Sequence, residues 1–255
     1  MKLGFSEPQR IYDSGSQNAR SMTEAWVAQS MYCPICGHMK LNQFPANLPV
    51  ADFFCAKCND QFELKSQKKA FGKIIANGAY ETKLKRLESE TSPNLILMNY
   101  EQIGSEIRNI ILVPKRFFIP SIVKKRRPLR ATARRAGWIG SNILIGNIPI
   151  SGRIHLVKDC IIIEKQVVLD QWQKTAFLDH LNKTTRGWLV EVMSCVDKLE
   201  PNGFSLNQVY QFESHLSSIF PDNNNVRPKI RQQLQVLRDN GYLEFLGQGR
   251  YRKQN

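Results

Sequence analysis

The stretch ADFFCAKCNDQFELK, residues 51–65, places a Cys-x2-Cys pair between an aspartate and a Glu-x-Lys sequence. A second pair lies upstream in YCPICGH, residues 32–38. Together they form Cys-x2-Cys-x18-Cys-x2-Cys, a spacing typical of a zinc site with four thiolate ligands. The alternative is four free cysteines that share this spacing by chance. We expect structural zinc here and take the neighbouring His38 as a bystander, because the cysteines already complete the site. The predicted ligands are Cys33, Cys36, Cys55 and Cys58.

The residues that flank the second cysteine pair predict a further metal site. Strand side chains alternate between faces, so Glu63 and Lys65 point the same way and Leu64 points into the core. If CAKC is the tip of a zinc-bound hairpin, the chain folds back and brings Asp52 level with Glu63. Two carboxylates there can hold magnesium, and Lys65 can orient a water or stabilise charge on a phosphate. Taken by itself, the pattern is better explained by a solvated Glu-Lys strand edge. The interleaved zinc site, the basic segment and the winged helix described below favour the metal site instead.

The composition predicts a soluble, intracellular protein with a polyanionic partner. The chain has 255 residues, enough for a substantial core, and a formal net charge of +14. No apolar run approaches the length of about 18 residues that spans a bilayer. The N-terminal MKLGFSEPQR lacks the apolar segment of a secretory signal. We therefore expect a cytoplasmic location and no membrane partner.

The basic residues are gathered in two parts of the chain. Residues 115–135 contain nine Lys or Arg and no acid. Residues 187–222 carry one basic and five acidic side chains, whereas residues 223–255 carry seven basic and two acidic ones. Neutralising nucleic-acid phosphates requires cations gathered on one face, so this distribution favours a nucleic acid as the partner.

Short strands and one early helix are expected in the first part of the chain. Ser21 and Glu24 fit a capping box that opens an amphipathic helix. Residues 51–54 and 61–64 are predicted as two short strands, and the apolar runs NLILMNY, RNIILVPKRFF and GRIHLV have strand length. Cys160 and Cys195 lie in apolar segments and are expected to be buried thiols.

From about residue 184 the pattern changes to three helices followed by a hairpin. The helical segments are GWLVEVMSCVDKLE, SLNQVYQFESHLSSIF with Ser205 as its N-cap, and VRPKIRQQLQVLRDNGY. In the third, Ile230, Leu234 and Leu237 recur at helical spacing, and YLEFLGQGRYRK then reads as a hairpin. This order is that of a winged helix-turn-helix. We therefore predict two domains, residues 1–183 and residues 184–255.

In combination, these segments resemble the DpnI-like family of type IIM methyl-directed restriction endonucleases, within the PD-(D/E)xK superfamily. The matching strings occur in the same order from about residue 16 to the C-terminus. Long strings such as TARRAGWIG and IRQQLQ are far more specific than the metal motif. The strings are TEAWV at Thr23, YCPICG at Tyr32, VADFFCAKC at Val50, FELKS at Phe62, TARRAGWIG at Thr132, RGW at Arg186, KIRQQLQVLRD at Lys229 and GRYRK at Gly249.

The resemblance implies an α/β fold with a PD-(D/E)xK catalytic domain that carries a zinc ribbon, followed by a winged helix domain. It implies magnesium-dependent cleavage of double-stranded DNA at GATC sites whose adenine is 6-methylated. Asp52, Glu63 and Lys65 match the catalytic positions, with Asp52 and Glu63 as magnesium ligands, and the four cysteines match the zinc ligands. None of these motifs is broken, so we expect an active nuclease, and we expect it to be a monomer.

Methyl recognition requires a surface that accepts an apolar group in the major groove. In GATC the two methylated adenines lie on adjacent base pairs, so one aromatic surface could sense both methyl groups. Trp138 is our candidate, because it is flanked by glycines and follows Arg134 and Arg135. The alternative for Trp138 is a core tryptophan.

Further DNA contacts are expected from the winged helix. Arg231, Gln232 and Gln235 lie off the apolar stripe of the third helix and could face the major groove; the alternative is a plain solvated face. Arg250 and Arg252, together with Lys253, are expected to touch phosphate, which positions the protein without specifying sequence.

Two other interpretations remain open at this level. Glu24 could supply a further acid near the metal, although the capping box explains it equally well. The whole chain could also be a non-enzymatic zinc-ribbon and winged-helix DNA-binding regulator in which Asp52 and Glu63 are merely structural. An RNA-processing nuclease is less favoured, because the deep, narrow major groove of A-form RNA does not admit a recognition helix.

Overall fold

The computed structural model describes residues 1–5, 13–45, 51–87, 89, 92–101 and 106–254 of the chain. Val50, with which the VADFFCAKC string begins, lies outside them. Within the described ranges, no helix has the length and apolar character needed to cross a membrane. The helices are α1 (Gly15–Ser30), α2 (Tyr80–Leu87), α3 (Lys165–Gln173), α4 (Lys183–Val196), α5 (Leu206–Tyr210), α6 (Glu213–Ile219) and α7 (Val226–Asp239). The strands are β1 (Asn42–Gln43), β2 (Phe53–Phe54), β3 (Gln61–Gln67), β4 (Ile75–Ala79), β5 (Asn94–Glu101), β6 (Glu106–Val113), β7 (Val123–Lys125), β8 (Gly140–Ile143), β9 (Ile154–Lys158), β10 (Ile161–Ile162), β11 (Phe204–Ser205), β12 (Leu243–Gly247) and β13 (Arg250–Lys253).

A seven-stranded mixed sheet lies at the centre of the structure, in the order β1-β2-β3-β5-β6-β9-β10. Strands β3 and β5 pair in parallel, and the other neighbours in this sheet are antiparallel. The predicted strands NLILMNY and GRIHLV are confirmed as β5 and β9, and the strand in RNIILVPKRFF ends at Val113. Mixed α/β architecture with a central sheet is therefore confirmed.

The middle strand β5 divides the hydrophobic interior into two cores. Leu95 and Leu97 belong to one core, whereas Ile96 and Met98 belong to the other. Alternate side chains of a strand point to opposite faces, and here both faces are covered, so β5 is an almost unbroken apolar run. One core lies under α1, α3 and the cysteine turns, and the other lies under a small sheet and the C-terminal helices.

The small sheet has the order β4-β8-β7, and the sequence patterns did not predict it. Helix α2 follows β4 directly and packs against β7 and β8. Lys83 is the buried residue of α2, so this short helix turns a cationic side chain inward. The small sheet and α2 thus form one wall of the cleft described below.

The C-terminal part has the predicted order of helices and hairpin, with one correction. The segment SLNQVYQFESHLSSIF does not form one helix but two, α5 and α6. Successive residues of a helix are about 100° apart, so Tyr210 and Phe212 would lie on nearly opposite sides of a continuous helix. The break lets both rings pack against the core. Ser205 caps α5 in a full capping box with Gln208, as predicted for the N-cap.

Helix α4 joins the C-terminal part to the rest of the molecule through polar bonds as well as apolar packing. The Ser121 hydroxyl donates to Oε1 of Glu191 at 2.5 Å, and the Ile150 N–H donates to Oδ2 of Asp197 at 2.5 Å. Burial raises the pKa of Asp197 despite this bond. One hydrophobic cluster also runs from β5 through α4 to the hairpin. The two parts therefore share a core.

Replacing Trp188 by alanine should destabilise the protein far more than replacing Trp138. The Trp188 ring is 2% exposed and stacks on Phe220 with ring centres 4.0 Å apart, whereas the Trp138 ring is half-buried at the surface. A buried Trp→Ala change typically lowers the free energy of unfolding by about 3–5 kcal/mol, because it leaves a cavity. Urea denaturation of both variants measures this difference. Equal losses would show that Trp138 is also a core residue.

A four-cysteine centre and a carboxylate cleft

The four predicted zinc ligands converge. Their sulfur atoms all lie within 4.8 Å of one another, and Cys33–Cys58 and Cys36–Cys55 are separated by 3.7 and 3.6 Å. A tetrahedral zinc site with Zn–S bonds of about 2.3 Å requires S–S separations of about 3.8 Å. The donor set and its spacing therefore fit a Zn²⁺ ion bound by four thiolates, and the prediction of a zinc-binding cluster is supported.

Two equivalent backbone turns present these sulfur atoms. In the first, the Cys33 N–H donates to the His38 carbonyl at 2.8 Å and the Gly37 N–H donates to the Cys33 carbonyl at 2.9 Å. In the second, the Cys55 N–H donates to the Asp60 carbonyl at 3.0 Å, and the Asn59 N–H donates to the Cys55 carbonyl at 2.9 Å. Gly37 and Asn59 occupy the left-handed region, with φ of 72° and 60°, as each turn requires. His38 thus contributes its backbone to the turn.

The protein environment resists a full set of thiolates without a bound cation. Burial raises the pKa of Cys33 and raises that of Cys58 to about 12. Burial also acts to raise the pKa of Cys55, but backbone N–H groups, including that of Lys57 at 3.4 Å from the sulfur, lower it overall. Thiolates are the ligands of zinc, so metal binding here must displace protons from the buried sulfurs.

The two remaining cysteines lie apart from this cluster. Cys195 is fully buried in α4, as predicted, and burial raises its pKa to about 12. The prediction that Cys160 is buried is wrong, because it lies half-exposed in the turn between β9 and β10. Asp159 and Cys160 both have positive φ there, 49° and 63°, as the two central residues of a type I′ turn do.

Asp52, Glu63 and Lys65 line a single cleft of about 600 Å³ between α1, β3 and the wall formed by β4 and α2. The Asp52 N–H donates to the Phe62 carbonyl at 2.9 Å, and Oδ2 of Asp52 accepts from the Leu64 N–H at 2.7 Å. Asp52 thus precedes β2 and lies beside Glu63, as the hairpin geometry predicts. Nζ of Lys65 lies 2.8 Å from Oε1 of Glu63, so the two side chains share one face of β3.

Three cations in this cleft were not foreseen from the sequence. Arg20 on α1 places Nη2 3.1 Å from Oδ1 of Asp52, and Lys83 on α2 places Nζ 3.6 Å from Oε2 of Glu63. Arg86, three residues beyond Lys83, also lines the cleft. In the sequence, the i, i+3 spacing of Lys83 and Arg86 could have indicated that both lie on one face of a helix. It could not have shown which acid that face meets, because the acid lies far away along the chain.

Burial and charge act in opposite directions on Glu63. Burial alone would raise its pKa, but Lys65 and Lys83 outweigh this and leave the pKa below its usual value. Burial lowers the pKa of Lys83, and the Glu63 carboxylate opposes that effect. The folded cleft therefore holds Glu63 as a carboxylate, which is the form that coordinates a cation.

Asp52 and Glu63 are the two carboxylates of the cleft that could hold a hard cation such as magnesium. Both are oxygen donors, which Mg²⁺ prefers. The cations that neutralise Oδ1 of Asp52 and Oε1 of Glu63 belong to partly exposed side chains, Arg20 at 65% and Lys65 at 34% exposure. Such side chains can turn towards solvent and leave the carboxylate oxygens to a metal ion.

Glu24 lines the same cleft as Asp52 and Glu63. The capping box with Ser21 is wrong, because α1 begins at Gly15 and Glu24 lies in its middle. Its carboxylate accepts from Nε of Arg20 at 2.5 Å and from Nε2 of Gln43 at 3.0 Å. Among the described residues, the cysteine cluster is the one group of three or more metal-type ligands with mutually close donor atoms, so Glu24 does not join Asp52 and Glu63 in such a group.

A basic hairpin extension, residues 124–138, connects β7 to β8. Its seven Lys and Arg side chains are all exposed. Trp138 is half-buried, with the Arg135 guanidinium 5.1 Å from its ring centre and the ring packed on the backbone of Gly140. Trp138 belongs to neither hydrophobic core, so the alternative of a core tryptophan is wrong. The cations are Lys124, Lys125, Arg126, Arg127, Arg130, Arg134 and Arg135.

In the C-terminal part, the predicted contact residues of α7 are exposed. Ile230, Leu234 and Leu237 are fully buried, whereas Arg231 and its neighbours Gln232 and Gln235 face outwards. Lys229 donates to the Gln232 amide oxygen at 2.8 Å, which holds that side chain at the surface.

The hairpin β12–β13 presents two of its three cations outwards. Arg250 and Arg252 are exposed, and Nη2 of Arg252 lies 2.7 Å from Oε2 of Glu244 on the paired strand. Nζ of Lys253 instead donates to the Leu199 carbonyl at 2.9 Å. Lys253 thus ties the hairpin to the turn that follows α4, and its contact with phosphate stays a prediction.

Replacing Cys33 by serine should remove zinc and unfold the β2–β3 hairpin, whereas replacing Cys160 by serine should change neither the zinc content nor the stability. Metal-bound thiolates would hold the two turns together, because structural zinc contributes directly to folding free energy. The purified protein should contain one zinc ion per chain by elemental analysis. A zinc content that survives in the Cys33→Ser variant, with unchanged thermal stability, would show that the sulfur cluster is not a zinc site.

Comparison with known families assigns both parts of the chain. Residues 1–181 match the model of the family described as DpnI: Dam-replacing family. Residues 184–253 match a second model, described as Dam-replacing HTH domain, which agrees with the helices and hairpin of the C-terminal part and indicates DNA binding. The two matches cover nearly the whole chain in the order that the sequence motifs predict. This chain therefore belongs to the DpnI Dam-replacing family, and with it to the methyl-directed restriction enzymes.

Proposed function

We propose that the protein is a PD-(D/E)xK endonuclease that cleaves double-stranded DNA at GATC sites carrying 6-methyladenine, by magnesium-dependent hydrolysis of a phosphodiester. One observation carries this proposal above the others. Asp52, Glu63 and Lys65 line one open cleft, and all three belong to the hairpin whose turn carries Cys55 and Cys58. Membership of the DpnI family supports a restriction activity for that cleft.

In the proposed hydrolysis, each side chain of the cleft has a separate role. Magnesium bound at Asp52 and Glu63 would supply an activated water and neutralise phosphate charge. Lys65, once released from Oε1 of Glu63, can orient that water or donate to the phosphate oxygen that gains charge. Arg20 is exposed and can turn from Asp52 towards the DNA backbone. The Leu64 N–H keeps the Asp52 carboxylate in place throughout.

The basic hairpin extension, residues 124–138, provides a path for DNA to the cleft. Nζ of Lys125 lies over the ring of Tyr80 at 5.4 Å, and Tyr80 is the first residue of α2, whose Lys83 lines the cleft. A duplex that rests on the base of this extension would therefore lie beside the helix that forms one wall of the cleft. Trp138, half-exposed among these cations, would contact the methyl groups of the two adenines in the major groove.

The C-terminal domain would add a second contact with DNA. We assign residues 1–183 to catalysis and residues 184–255 to a winged helix, and we treat the protein as a monomer. Helix α7 would enter the major groove with Arg231, Gln232 and Gln235, while Arg250 and Arg252 touch phosphate. Glutamine can pair with both major-groove groups of adenine, which suits an adenine-containing target.

A non-enzymatic DNA-binding regulator is the second candidate. Its zinc ribbon and winged helix would look the same, so the cleft decides between the two functions. A regulator has no use for ionised carboxylates beside exchangeable cations, and a buried Lys83 near Glu63 carries a desolvation cost without any gain in DNA affinity. We therefore favour the nuclease.

The protein should cut a plasmid methylated on adenine at GATC and leave the unmethylated plasmid intact. Cutting should require magnesium and stop with EDTA. Lys65→Ala should reduce the cleavage rate by about a hundredfold or more, because charge stabilisation at the attacked phosphate is lost. The matched control is Lys69→Ala, an exposed lysine four residues along, outside the cleft lining. Binding to methylated DNA without cutting would favour the regulator.

Gln232→Ala should relax base preference, whereas Arg250→Ala should weaken binding to every sequence alike. A bidentate base contact discriminates by about 1–3 kcal/mol, and a phosphate contact carries no sequence information. Fluorescence anisotropy with the full-length Lys65→Ala protein, on a methylated GATC duplex and single-base variants of it, separates the two effects. Equal weakening on all duplexes by Gln232→Ala would remove α7 from base readout at that position.

A further inference from the structure

Glu63 is the one acid of the cleft whose two oxygens are each held by a lysine, and the two lysines differ in freedom. Lys65 contacts Oε1 at 2.8 Å and its side chain is 34% exposed. Lys83 contacts Oε2 at 3.6 Å and its side chain is 7% exposed. One partner can therefore leave the carboxylate, and the other cannot leave without unfolding its surroundings.

The immobility of Lys83 has a clear structural origin. Its ammonium lies 4.8 Å from the ring centre of Phe118, which is 2% exposed within the hydrophobic core. Its backbone belongs to α2, which packs against the small sheet on the far side of the cleft from β3. The contact with Glu63 thus bridges two walls of the cleft, whereas Lys65 and Glu63 lie on one strand.

We propose that Lys83 is a positioning residue, which holds Oε2 of Glu63 and thereby presents Oε1 alone to the divalent cation. This inference rests on the proposed function, because it assumes that Glu63 binds the catalytic metal. Lys65 occupies Oε1 until the metal arrives and then becomes available to the phosphate. Lys83 remains on Oε2, so Glu63 binds the metal through one oxygen, in one fixed orientation.

A fixed ammonium near a divalent cation has two effects of opposite sign. Its charge repels the metal, so removing it should tighten metal binding. Its ion pair with Oε2 orients Glu63, so removing it should allow the carboxylate to rotate and bind the metal through both oxygens, which would misplace the metal relative to the phosphate. The signature of a positioning residue is therefore stronger metal binding together with slower cleavage.

Isothermal titration of the zinc-loaded protein with Mn²⁺ measures the first effect, and plasmid cleavage measures the second. Lys83→Met should lower the Mn²⁺ dissociation constant by about tenfold, a change of the size that one nearby charge produces. It should lower kcat by at least about tenfold, since small misplacements of reacting groups are costly. Lys83→Arg, which keeps the charge, should restore metal affinity to near that of the unchanged protein.

The matched control is Lys85→Met, which removes the same charge from the exposed side of the same helix and should alter neither quantity. Thermal unfolding and zinc content verify that each variant is folded. Slower cleavage with unchanged or weaker Mn²⁺ binding in Lys83→Met would overturn the positioning role and leave the proposed nuclease in place. If the unchanged protein neither binds Mn²⁺ nor cuts methylated DNA, and Glu63→Gln changes neither result, the proposed metal site is wrong. The inference about Lys83 is then wrong as well.

Discussion

The closed turn between β2 and β3 is the constraint on which the cleft depends. The sulfur atoms at both of its ends lie within 4.8 Å of the two sulfur atoms of the first cysteine turn. This convergence sets the register that pairs Phe53 with Phe62. That register puts the Asp52 carboxylate on the Leu64 N–H. A slip of one residue would send Glu63 and Lys65 to the opposite face of the sheet. The cysteine cluster thus determines the geometry of the carboxylate cleft, although none of the four cysteines lines that cleft.

Pairing of acids with cations explains how the cleft can be stable without a bound metal or substrate. Ionised carboxylates in a partly buried site are costly unless paired, and here Arg20 neutralises Asp52 while Lys65 and Lys83 neutralise Glu63. Lys65 and Lys83 thereby hold Glu63 as a carboxylate, which is the form that binds a cation, and the more exposed Lys65 can be exchanged for a metal. The same arrangement would reduce the repulsion between these acids and a DNA backbone bound in the cleft.

Sequence patterns predicted the features that depend on residues close together in the chain. They failed for contacts between elements that are far apart in the chain. The cysteine spacing, the β2–β3 hairpin and the apolar stripe of α7 follow from local rules. The capping box at Ser21 and Glu24 failed because the same i, i+3 pair also occurs inside a helix, where Glu24 meets Arg20 instead. Lys83 was missed because its partner lies on another wall, and the small sheet that carries α2 joins strands separated by more than forty residues.

The shared core between the two parts of the chain bears on how recognition is coupled to cleavage. Helix α4 contributes Trp188 and Val192 to a cluster that also contains Leu97 of the central sheet and Ile230 of α7. Separate domains on a flexible linker would search for DNA independently, with an effective concentration set by the linker. A continuous core instead fixes α7 relative to the cleft. In the proposed nuclease, DNA contacts made by the winged helix would then constrain where the duplex meets Asp52 and Glu63, so the C-terminal part would select the bond that is cut as well as the sequence that is bound.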